Sequence, residues 1–307
     1  MTEARPGFRV FLGRFRTDRA AVFGAVVAGL LVLLALLAPV LTALEGQDIS
    51  SFHNDLVDSA RGGVPIGPLG GISGQHWLGV EPQTGRDLLA RIVVGAQYSL
   101  LIASLATVLA VGIGTFFGVV AGYFGGWLDS LIARAMDVFL AFPLLVFALA
   151  LAGVIPSSGF GLSGNSLRIA VLIFVIGFFN WPYMGRIIRG QTLSLREREF
   201  VEAARSLGAR GPFILFRELL PNLVAPILVY STLLIPTNIL FEAALSFLGV
   251  GIAPPQASWG GMLNSAIDLF YADPQYMVVP GLAIFITVLA FNLLGDGLRD
   301  ALDPRSK

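Results

Sequence analysis

Six stretches of this chain run for roughly the span of a bilayer with almost no charge, and that confines the fold to one that satisfies its backbone inside lipid. A hydrocarbon core about 30 Å thick needs about 20 apolar residues in a helix. The intervals are Ala20 to Leu44, Ile92 to Leu128 with its centre at Val93 to Gly122, Val138 to Arg168, Ile169 to Gly185, Asn222 to Gly249, and Asp273 to Asp296. The fourth is short, but Arg168 and Arg186 flank it and long arginines snorkel to the interface. The expectation is an all-α polytopic membrane protein with six transmembrane helices.

Composition removes several chemistries. The chain is 55% hydrophobic and 13% charged, with a mean hydropathy of +0.79. It has no cysteine, so disulfides, thiolate metal sites and cysteine nucleophiles are excluded. Its histidines are His53 and His76, too few for an imidazole cage, and no metal site is expected. Lysine occurs once, as Lys307, which rules out a Gly-x-x-x-x-Gly-Lys phosphate loop. A net charge of zero leaves no footprint for nucleic acid.

With six spans both ends lie on one side, and arginines cluster on it. Arg5, Arg9, Arg14, Arg16 and Arg19 precede the first span, Arg134 follows the second, and Arg299, Arg305 and Lys307 follow the last. The connection between the fourth and fifth spans carries Arg186, Arg189, Arg196, Arg198, Arg205, Arg210 and Arg217. Only Arg61, Arg86, Arg91 and Arg168 fall on the other side. Both termini and this connection are therefore expected to be cytoplasmic, in a multi-pass protein of the cell membrane. The first uncharged run is too long for a cleaved signal core and reads as a span. Phe8, Phe11 and Phe15 recur before it at helical spacing, which suggests a short helix on the inner leaflet.

In the basic connection, Ser194 followed three residues later by Glu197 reads as a capping box opening a helix from Leu195 to Leu207. Phe200, Ala203, Ala204 and Leu207 would form a stripe of mostly small residues, while Glu202 pairs with Arg198 and Arg205. Gly208 would close the helix, and Gly211 with Pro212 would start a second short one leading to Leu220 and Pro221. Such a compact helix passes on a movement that a loose loop would absorb.

The spacing of Glu202, Ala203, Ala204, Gly208, Leu220 and Pro221 resembles the EAA signature of type I ABC importer permeases, and the segment from Trp181 to Pro221 is similar to their peptide and nickel branch. Concurring blocks are Gly85, Arg86 and Asp87 after His76 to Gly79, Asp137 to Pro143, Leu245 to Gly251 leading to Ser258, Trp259 and Gly260, and Asn292 to Pro304. Arg14 to Val22 resembles the C-type subunit of dipeptide and oligopeptide systems. Two departures stand out: Glu218 replaces an apolar residue, and Val80 to Thr84 is one residue longer than usual. The resemblance implies that residues 1–91 hold the interfacial helix, first span and extracytoplasmic loop. Residues 92–300 would form the permease core around a coupling loop at 186–221, with a cytoplasmic tail at 301–307. It implies a sister B-type permease, two cytoplasmic ABC ATPases that bind ATP and Mg, and an extracytoplasmic peptide-binding protein. No cofactor is expected on this chain, which would be non-catalytic and would move di- or oligopeptides. Nickel, glutathione or another small solute stays open as cargo.

Other marked residues carry weaker expectations. Gly114, Gly118 and Gly122 recur every four residues and suit close helix packing. Pro226 and Pro236 would kink the fifth span, making Pro236, Asn238 and Glu242 candidates for a translocation path. Glu242 has two readings, a contact with a peptide amino group or a structural pairing with an outer-loop arginine. An ion-coupled secondary transporter would need more buried ionisable groups, and a membrane enzyme would need a cluster of catalytic side chains.

Overall fold

The computed structural model describes residues 8–152, 158–159 and 161–302. Arg5, Arg305, Lys307 and the tail from 303 onward lie outside them. Helix α1, Phe8–Thr17, occupies the expected place before the first span, and its Phe11 and Phe15 rings stack 6.2 Å apart. Asp18 then caps α2, Arg19–Leu36, by accepting from the amides of Ala20 and Ala21. The uncharged run to Leu44 is not one helix. It breaks at Leu37 and resumes as α3, Ala38–Glu45, with Pro39 in the first turn, where its missing N–H costs nothing.

Residues 46–87 fold over one end of the bundle as turns and a two-stranded ribbon, β1 Val57–Asp58 against β2 Val64–Pro65. From there α4, Leu88–Phe124, runs for 37 residues, about 55 Å, well beyond a hydrocarbon core. Gly125 and Gly126 turn the chain with positive φ into α5, Gly126–Ala141. The third span is not the straight helix that charge spacing suggests. Pro143 forces Phe142 into extended backbone, and α6, Leu144–Ala152, leaves at 74° to α5.

The fourth span is also longer than its apolar core. Helix α7, Gly164–Arg196, has 33 residues and takes in both Arg168 and Ser194. Its face meets the glycine stripe of α4: a Cβ on Gly114 would stand 2.7 Å from the Trp181 carbonyl, and one on Gly118 would stand 2.6 Å from that of Gly185. Among the described residues five helices are long and apolar enough to cross a membrane, and α5 with α6 make a sixth if the bent pair is one span. The core behind them joins Leu88, Ile92 and Leu100 to Trp259, Tyr276 and Phe291, with a second cluster around Ile102, Leu172, Ile176 and Leu245.

Candidate functional site

The exposed connection between α7 and the next span holds a helix that starts later than the sequence suggests. Ser194 does not open it, because nothing between Gln191 and Arg196 interrupts α7. The break falls at Glu197 and Arg198, and α8 is Glu199–Ser206, with Arg198 as an N-cap lacking a side-chain bond. Its C-terminus is a Schellman turn: Gly208 takes φ 84° and donates to Arg205, while Ala209 donates to Ala204. The chain then re-enters helix at α9, Gly211–Phe213. The second helix starts at Gly211 and Pro212 as expected but is not a short separate one, for α9 runs through a π-helical stretch, Ile214–Leu219, directly into α10, Leu220–Phe247. Pro221 has no N–H to continue an ordinary ladder, and the wider turn lies just before it.

The apolar stripe of α8 is divided between two directions. Val201 is fully buried against Ile214 and Leu219, with Phe200, Ala204 and Tyr123 packed around them. Glu202, Ala203, Arg205 and Ser206 face outward, and Leu207 is 88% exposed. The expected pairs do not form: neither Arg198 nor Arg205 makes an ion pair with Glu202 among the described residues. Leu220 is half-buried and Pro221 exposed where α10 begins. The knob therefore offers a free carboxylate, free guanidinium groups and one large apolar side chain on a helix pinned from behind.

Asn238 and Glu242 occupy a different setting. Both are fully buried, and Pro236 is buried too, between α10 and its neighbours. Asn238 donates to Thr107 on α4 at 2.8 Å and accepts from Asn180 on α7 at 2.9 Å, so one amide ties three helices. Glu242 accepts from the Ser246 hydroxyl at 2.7 Å, beside Ser99 of α4 and Ser258, the cap of α11, Trp259–Ala266. Its partner is thus a serine of its own helix and not an outer-loop arginine. Arg168 and Arg91 instead donate to the carbonyls of Gly251 and Pro255.

At the opposite end of the bundle the Gly85, Arg86 and Asp87 block gives each residue a task. Gly85 adopts φ 66° with the His53 carbonyl against its α-carbon, leaving no room for a side chain. Asp87 caps α4 through Ala90 and stands 2.8 Å from His76 Nδ1. Arg86 donates to Glu81 at 2.5 Å. Glu81 also accepts from the hydroxyl of Tyr276 on α12, Pro274–Leu302, and faces Arg91 at 3.6 Å. Burial opposes its charge, but Arg91, Tyr276 and Arg86 together hold its carboxyl below the ordinary range. Nearby, the amides of Ser50 and Ser51 bring Asp48 down to about 2. His53 and His76 meet edge to face at 4.9 Å, and no group of three ligands that could hold a metal occurs among the described residues.

Comparison with known proteins identifies this architecture. Residues 114–307 match the profile of the binding-protein-dependent transport system inner membrane component, and residues 8–55 match the N-terminal transmembrane domain of oligopeptide transport permease C. The chain is 41% identical to the glutathione transport system permease protein of Escherichia coli O6:K15:H31 (strain 536), over 99% of its own length and 93% of the relative's. The same protein of Shigella boydii serotype 4 gives the same figures. Among solved structures, an inward-facing MetNI methionine ABC transporter aligns with a TM-score of 0.55 at 18% identity, covering 69% of this chain and 97% of that one.

Proposed function

The chain belongs to the binding-protein-dependent transport system inner membrane components, the permease subunits of ABC importers, and on that premise we propose that it moves short peptides inward on work received at α8. The observation that carries this reading is the knob itself. Glu202, Ala203 and Leu207 stand free on a helix whose other face is fixed by Val201, while a Schellman turn holds its end. In this reading Arg198, Glu202, Ala203, Ala204, Arg205, Leu207, Gly208, Leu220 and Pro221 form the coupling surface for a cytoplasmic ATPase. ATP and Mg bind that partner, a sister permease completes the pore, and an extracytoplasmic binding protein delivers cargo to the end bearing Gly85, Arg86 and Asp87. The termini and α8 then share the cytoplasmic side, in accord with the arginine distribution.

Asn238 and Glu242 act in this proposal as pins between α4, α7 and α10 rather than as cargo ligands, since both are sealed inside the subunit. A second reading takes glutathione, itself a small peptide, as the cargo; the 41% identity to the glutathione permease favours it. Uptake of labelled dipeptide, oligopeptide and glutathione by the assembled importer separates the two. The coupling assignment is tested by Glu202→Arg. That variant should enter the membrane at normal yield while uptake falls at least tenfold, and full uptake would refute the assignment.

A further inference from the structure

A helix leaves its last carbonyls without partners, and an arginine placed there both satisfies them and opposes the negative end of the helix dipole. The C-terminus of α4 receives such an arginine from another helix. Arg196, the last residue of α7 and three positions before α8, donates from Nη1 to the carbonyls of Gly122 at 3.1 Å and Tyr123 at 3.4 Å. A Cβ on Gly125 would come within 3.0 Å of that nitrogen, so the glycine corner is what admits it. Two helical turns earlier on the same face, Arg189 grips Asp129 in the first turn of α5 with two parallel bonds from one guanidinium edge, Nε to Oδ1 and Nη2 to Oδ2, the latter at 2.7 Å. Tyr123, whose carbonyl Arg196 holds, also packs in the cluster that anchors Val201 of α8.

We propose that Arg196, with Arg189 beside it, is a positioning residue that fastens α8 to the α4–α5 corner. Displacement of α8 then reaches the bent pair α5–α6, as well as the two helices that α8 joins through the chain. This rests on α8 being the ATPase contact.

The absence of cysteine makes the test direct. Spin labels at Ser206→Cys and Trp127→Cys, the latter on an exposed side chain of α5, report α8 against the corner in the importer assembled with its partners in liposomes. The native chain should give one narrow distance both without nucleotide and with ATP trapped. Arg196→Met should at least double the width and lower solute moved per ATP hydrolysed at least fivefold, with the ATPases retained. Arg196→Lys, which keeps a cation at the carbonyls, should restore at least half of the coupling. Should Arg196→Met fail to assemble, Asp129→Arg should widen the distance and its exchange with Arg189→Asp should narrow it again. Unchanged width and coupling in Arg196→Met overturn the proposal, as does an exchange that restores nothing. Failure of the underlying reading looks different, as full uptake in Glu202→Arg whatever Arg196 does.

Discussion

Glu81 shows how much one side chain organises. It joins the segment before α4 to Arg91 on α4 and Tyr276 on α12, and its carboxylate is nearly sealed from solvent. Because its folded pKa is depressed, its contribution is complete above the unfolded carboxylate value of about 4.3 and is lost as pH falls through the folded value. The native chain in detergent should therefore lose thermal stability as pH drops below about 4.3, and Glu81→Gln should flatten that part of the curve. At neutral pH Glu81→Gln leaves Arg91 buried without a counter-charge and should cost about 3 kcal/mol, read as a lowered unfolding midpoint. An unchanged midpoint at pH 7 would mean that Arg91 finds compensation elsewhere. Nothing local in the sequence announces this hub, since Tyr276 lies 195 residues away. Gly85 and Asp87, by contrast, have short-range roles in a turn and a cap, and such roles are where motif spacing is informative.

Among the elements, the contact of α4 with α7 is legible because four-residue glycine spacing has a single geometric reading, one smooth helix face. Gly118→Leu should place side-chain atoms on the Gly185 carbonyl and on Arg189's amide, lowering stability by about 3 kcal/mol or preventing folding. Gly112, on the same helix, has open space where a side-chain methyl would sit, with nothing within 4 Å of it, so Gly112→Ala should keep stability or gain up to about 1 kcal/mol. Melting of both variants in one detergent gives the comparison, and equal losses would contradict the packing. The bent third span has its signal in Pro143, but the long uncharged run conceals it, because hydropathy measures length and not direction. The start of α8 is hidden for the opposite reason. Ser194 and Glu197 satisfy a local capping pattern, yet α7 continues through Ser194, its last turns held by the bonds from Thr192 to Ile188 and from Arg196 to α4. Tertiary contacts override the local signal.

At the scale of the whole molecule, hydropathy and basic residues are enough to give a multi-pass membrane protein, and the spacing around Glu202 is enough to place it among importer permeases. Sequence alone does not disclose which buried polar groups face one another. Thr107, Asn180 and Asn238 come from three spans and meet only after the bundle is packed. That α8 is the surface through which a separate ATPase drives this subunit is checked by a photo-crosslinker at Leu207, the most exposed large apolar side chain of the knob. In membranes holding the whole importer, that probe should yield an adduct with the ATPase and none with the extracytoplasmic binding protein. An adduct with the binding protein, or with lipid alone, would contradict the account.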